Sequence, residues 1–134
     1  MDALTIEATE FTPQVSFDSE TRIIEFDGVS RPENVLAFYN EIIDWITGYE
    51  SELYKNKVLG GKKFEIKIIF KFSYFNSGSA KMIYTFLESL LRIKNMGYTV
   101  NVDWYYEDGD DQMHDDGEEL SEAIDIPFTF LVNN

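Results

Sequence analysis

The sequence contains no cysteine. That excludes disulfides, zinc–thiolate sites, iron–sulfur clusters and thiol catalysis. Histidine occurs once, at His114. Basic residues are scarce: 11 Lys and Arg stand against 25 Asp and Glu in 134 residues, a formal net charge of -14. A surface that acidic repels phosphate backbones and anionic lipid, so neither nucleic acid nor a membrane is an expected partner. No uncharged apolar run approaches membrane-spanning length. Met1-Asp2-Ala3-Leu4-Thr5 has neither the basic nor the apolar region of a secretory signal, and the expected location is the cytoplasm. What is present is apolar and aromatic. Hydrophobic residues make up 44% and aromatics 16%, enough for the core of one domain without staples.

Charge is uneven along the chain. All 11 basic residues lie between Arg22 and Lys94, and the stretch from Asn95 to Asn134 carries 11 acidic side chains and no basic one. One acidic lobe or face is expected. Residues 1–11 are polar and weakly patterned, which predicts a loosely ordered start followed by a single domain over 12–134.

Hydrophobic periodicity predicts the elements. Val15 and Phe17, then Ile23, Ile24 and Phe26, read as two strands of an N-terminal hairpin. Ser30-Arg31-Pro32-Glu33 has the form of a capping box, with Ser30 as the cap of a helix that runs to about Tyr54. Phe64 to Phe72 alternates as a strand. Met82 to Ile93 repeats at helical spacing, with Arg92 and Lys94 in the last turn. Tyr98 to Tyr106 reads as a strand, Asp108 to Asp125 as acidic with a hint of a short helix, and Phe128 to Val132 as a last strand. The fold class is α/β: a mixed sheet of about five strands with an antiparallel N-terminal hairpin and two main amphipathic helices.

Three possible chemistries are weak. His114 sits in Asp110-Asp111-Gln112-Met113-His114-Asp115-Asp116, and the stretch that would supply a triad serine, Asn76-Ser77-Gly78-Ser79-Ala80, does not match the nucleophile elbow. Gly60-Gly61-Lys62-Lys63 lacks the first glycine and the Ser/Thr of a P-loop and precedes a strand. The acidic 103–119 segment offers oxygen ligands for a hard cation, and a small metal-assisted enzyme is the alternative reading of the chain. It lacks the EF-hand spacing, and a solvated acidic face explains it as well.

The informative stretch is Tyr74-Phe75-Asn76-Ser77-Gly78-Ser79-Ala80-Lys81. It follows a hydrophobic strand and opens an amphipathic helix. Unpaired N–H groups and the positive end of the helix dipole would hold a phosphoryl group there, with Lys81 as countercharge. An ordinary serine cap is the plain alternative.

Strand, Asn-Ser-Gly-Ser and amphipathic helix resemble the phosphorylation segment of STAS domains, the anti-sigma-factor antagonists. A fuller resemblance is to the SiaC family of bacterial regulatory phosphoproteins. It is carried by Thr12-Pro13-Gln14-Val15-Ser16-Phe17-Asp18, by Gly28-Val29-Ser30-Arg31-Pro32-Glu33-Asn34, by Phe72 to Lys81, and by Val102-Asp103-Trp104-Tyr105-Tyr106-Glu107-Asp108-Gly109-Asp110-Asp111. Met113 and Gly117-Glu118-Glu119 continue it. The order and distances fit from about Phe11 to Val132.

The resemblance implies a STAS-like fold with no catalytic residues, metal or cofactor. It implies a hydroxyl phosphorylated by a cognate kinase and cleared by a PP2C-type phosphatase. The unphosphorylated form would bind and activate an effector, a diguanylate cyclase, raising cyclic-di-GMP and favouring biofilm formation. The acceptor maps onto Ser77, with Ser79 as the alternative; Asn76, Gly78 and Lys81 would shape the site. Glu33, Asn34 and Tyr74 are candidates for the partner surface. Trp104, Tyr105 and Tyr106 are read as strand packing.

Overall fold

A computed structural model describes residues 1–133. Six strands and three helices follow the order β1 (Leu4–Ile6), β2 (Gln14–Asp18), β3 (Ile23–Ser30), α1 (Val35–Val58), β4 (Glu65–Phe75), α2 (Ser77–Asn95), β5 (Thr99–Glu107), α3 (Asp111–Ile124) and β6 (Phe128–Asn133). Spatial order equals chain order, β1-β2-β3-β4-β5-β6. The first three strands pair antiparallel and β3 to β6 pair parallel. This is the expected mixed α/β domain, with one strand more than the pattern predicts.

The additional strand corrects the expectation of a loose N-terminus. Leu4, Thr5 and Ile6 pair with Phe17, Ser16 and Val15. The Trp45 indole N–H donates to the Asp2 carbonyl at 2.8 Å. Three residues carry too short a pattern to read, and tertiary pairing holds them.

All three helices cover one face of the sheet. Alternate residues of β4, Ile66, Ile68, Phe70 and Phe72, are buried there. Their neighbours on the inward face include Phe17, Phe26 and Trp104. Trp45 of α1 packs on Phe17 (ring centroids 5.2 Å), and Phe86 of α2 meets Phe26 edge-on at 5.3 Å. Trp104 Nε1–H donates to the Met113 carbonyl of α3 at 2.9 Å. The opposite face is polar: Lys67 pairs with Asp103 at 3.2 Å, and the Lys71 ammonium lies 4.9 Å from the Tyr105 ring centre. Tyr105 and Tyr106 are only half-buried, whereas Trp104 is core.

The β3–β4 ladder has one irregularity. Its register runs Gly28↔Phe72 and then Val29↔Tyr74, so β4 holds one extra residue, Ser73, opposite the Gly28–Val29 step. An inserted residue inverts the inward–outward alternation beyond it. Phe75 therefore turns inward, edge-on to Trp104 at 5.9 Å, and Tyr74 turns out to solvent.

Each helix is capped by a residue directly before it. Asn34 accepts from Ala37 N–H (3.0 Å), Asn76 from Ser79 N–H (2.8 Å) and Asp110 from Met113 N–H (3.1 Å). The expected Ser30–Glu33 capping box does not form. Ser30 is the buried last residue of β3, and the helix begins only after Asn34, an equally good cap. α1 also runs past Tyr54 to Val58. It ends where Gly61 N–H returns to the Asn56 carbonyl (2.8 Å) and Gly60 takes φ +74°. No helix among the described residues is long and apolar enough to cross a membrane.

Candidate phosphorylation site at the first turn of α2

The adjacent parallel strands β3 and β4 end side by side, and α1 and α2 both start at that edge. Ser30 pairs with Phe75, and Asn76 N–H donates to the Ser30 carbonyl at 3.0 Å, which fixes where α2 begins. Gly78 lies against the first residue of α1: a Cβ there would sit 3.0 Å from Val35 Cγ2. A side chain at 78 would push the two helix starts apart.

Ser77 and Ser79 have opposite surroundings. Ser77 is exposed, the first residue of α2. The Asn76 side chain already takes Ser79 N–H, so the N–H groups of Ser77 and Gly78 are left at the positive end of the helix. Ser79 is fully buried, and its hydroxyl donates to the Ser30 carbonyl at 3.0 Å. Ser30 Oγ donates in turn to Ser79 Oγ at 2.9 Å. That uses the only Ser30 hydroxyl proton, so in the 2.6 Å contact between Tyr39 and Ser30 the phenol is the donor. A chain of three buried hydroxyls thus ties α1, β3 and α2 together beneath the exposed serine.

Burial pushes the Tyr39 phenol up to about 12 from 10.0. The folded state then holds this proton more tightly than the unfolded chain. Stability from it is complete below about pH 10 and is lost as pH rises through 12. Urea midpoints measured from pH 9 upward should fall over that window, and Tyr39→Phe should fall less steeply. An unchanged slope in Tyr39→Phe would mean that the phenol is not buried as described. Some slope should persist, because burial also pushes Tyr49 up to about 12.

The other candidates gather at the same edge. Glu33 and Asn34 are exposed just before α1, Asn34 as its cap, and Lys81 is exposed on the second turn of α2. Tyr74 is 50% exposed at the end of β4. Sequence reasoning did not single out Leu36, 71% exposed, or Phe11, whose ring lies 5.1 Å from the Arg31 guanidinium. It also missed Ser30 and Tyr39, which look like a cap and a core aromatic; only the bond of Ser30 to Ser79 across 49 residues, with Tyr39 bonded to Ser30, gives them a role.

The acidic segment is divided among several tasks. Asp103 pairs with Lys67 on the open sheet face, Asp110 caps α3, and Asp116 accepts from Gln112 at 2.7 Å. His114, Asp115 and Glu118 bring one ligand atom each to within 4.8 Å of one another. The His114 ring also packs on Tyr106 and Phe130, both at 5.0 Å.

Comparison with known proteins bears on the family and the fold. The SiaC model, describing the SiaC family regulatory phosphoproteins, matches residues 6–133. An uncharacterized protein of Pseudomonas aeruginosa (strain UCBPP-PA14) is 25% identical over 134 residues, covering 100% of this chain and 99% of that one. The fold is similar to that of SiaC of Pseudomonas aeruginosa, with a TM-score of 0.83, 22% identity, and 99% and 100% of the two chains covered. It is also similar to a chain in the crystal structure of diguanylate cyclase SiaD in complex with its activator SiaC, from the same organism. There the TM-score is 0.84 at 22% identity, covering 97% of this chain and 99% of the other. With a family match over nearly its whole length and the matching fold, the chain belongs to the SiaC family of regulatory phosphoproteins.

Proposed function

We propose that this protein is a phosphorylation-controlled switch with no catalytic activity of its own. Ser77 is the acceptor. A cognate kinase adds the phosphate and a PP2C-type phosphatase removes it. The unphosphorylated form binds and activates an effector in the cytoplasm, a diguanylate cyclase, as SiaC is the activator of SiaD in the related complex.

The observation that carries this reading is the contrast between the two serines. Ser77 stands in solvent at the start of α2, and Ser79 is sealed in the core with its hydroxyl engaged. A kinase reaches the first without unfolding anything. Asn76 caps the helix, Gly78 keeps α1 close, and Lys81 adds a positive charge one turn on. Glu33, Asn34 and Tyr74 belong to the surface that partners touch.

Intact mass of protein from its native host, with and without phosphatase treatment, tests the assignment. One phosphate should be present, absent from Ser77→Ala and retained in Ser79→Ala. Phosphate that persists on Ser77→Ala and vanishes from Ser79→Ala would move the acceptor by two residues and refute the reading of burial.

A further inference from the structure

We propose that the cleft between α2 and α3 seats a helix of the effector. Its apolar stripe faces down, its basic side chains lie over α3, and its acidic or uncharged flank lies over the first turns of α2. This rests on the reading of the protein as an effector-binding switch and names the surface and partner chemistry.

The cleft encloses about 310 Å³ and is lined by Phe75, Ala80, Asp116, Glu119, Leu120 and Ala123. Its floor is apolar because the extra residue in β4 turns Phe75 inward, beside Leu120. Its two helix walls carry alanine at Ala80 and Ala123. Small side chains let a third helix axis approach closely, and an amphipathic helix laid in such a groove is a common mode of recognition.

Charge complementarity selects the occupant. Asp116 and Glu119 stand on the α3 wall, in the part of the chain from Asn95 onward that has no Lys or Arg. The α2 wall has the opposite sign. Ala80 lines it near the positive end of that helix, and the next residue, Lys81, is exposed at its rim with no salt-bridge partner among the described residues. A helix basic on one flank and acidic or neutral on the other satisfies both walls.

The switch follows from the same arrangement. Ser77, Ala80 and Lys81 are spaced i, i+3 and i+4, so they share one face of α2. A phosphate on Ser77 adds about -1.5 to -2 charges to the positive wall and removes the asymmetry the partner reads.

The effector cyclase is titrated against the wild-type chain, Ser77→Glu, Ala123→Trp, Lys81→Glu and the double variant Asp116→Lys/Glu119→Lys, at two salt concentrations. Circular dichroism and melting verify folding; Ala123 is exposed, and the charge variants keep the test open if the tryptophan does not fold. Ala123→Trp should weaken binding tenfold or more at both salts. The charge variants should weaken it by a similar factor at low salt, and their deficit should shrink at about 0.5 M, where screening is strong. Wild-type binding lost in Ser77→Glu and intact in every cleft variant overturns the cleft assignment and leaves the switch standing. Failure of the wild-type chain to bind the cyclase overturns the proposed effector and the assignment together. Self-association of the free chain that Ala123→Trp abolishes puts a second copy in the cleft and overturns the assignment.

Discussion

Ser77→Glu is expected to weaken effector binding at least tenfold while the melting temperature stays within a few degrees of wild type. The two halves of this result have separate causes. The fold tolerates an anion at 77, because the helix end offers free N–H groups and a favourable dipole. Binding does not, because a partner surface that packs on a bare hydroxyl must then bury an unpaired charge, which costs several kcal/mol. A tenfold loss needs only about 1.4 kcal/mol of that. Ser77→Ala should bind like wild type and escape regulation. Calorimetric titration beside a melt separates the two effects; an unfolded Ser77→Glu, or one that binds normally, refutes the assignment of the switch to this position.

Gly117→Ala is expected to lower stability by about 1–3 kcal/mol through overpacking, against the usual rule that alanine improves a helix interior by about 1 kcal/mol. A Cβ at 117 would lie 2.4 Å from Trp104 Nε1 and 2.6 Å from Cδ1 and Cε2. The indole cannot retreat. Trp104 is fully buried, stacked on Phe128 at 5.9 Å, flanked by Phe70 at 5.4 Å and held by its bond to the Met113 carbonyl. Relief requires α3 to lift off the sheet, which breaks that bond and opens the wall of the cleft. Gly48→Ala is the matched comparison. Its new Cβ would meet only the flexible Met1 side chain, at 3.2 Å, and it should be neutral or mildly stabilising. Equal melting temperatures for the two variants would show that α3 does not rest on Trp104.

Much of this architecture was legible because most elements keep one clean period. The alternation of Ile66, Ile68, Phe70 and Phe72 and the helical spacing from Met82 to Ile93 need no tertiary knowledge. α3 was faint for a definite reason. Its inward face is Met113, Gly117, Leu120 and Ile124, and the glycine that Trp104 requires removes one apolar signal from the pattern. The extra residue in β4 was invisible, since an insertion shows only against its partner strand. Strict alternation would have buried Tyr74 and exposed Phe75, the reverse of what is found. At the site, strand, Asn-Ser-Gly-Ser and helix marked the exposed serine and its surroundings, but the depth of Ser79 depends on Ser30, 49 residues away.

The length of α1 gives the protein a practical geometry. Its 24 residues separate its two ends by about 36 Å at 1.5 Å per residue. One end adjoins Gly78 and the edge proposed to take the phosphate; beyond the other stands Leu59, 85% exposed before the Gly60–Gly61 turn. A dye or an affinity handle attached at Leu59 therefore sits far from everything the kinase, phosphatase and effector are proposed to touch. With no native cysteine to compete, a single Leu59→Cys substitution would label this one position and let exchange of partners be followed in real time.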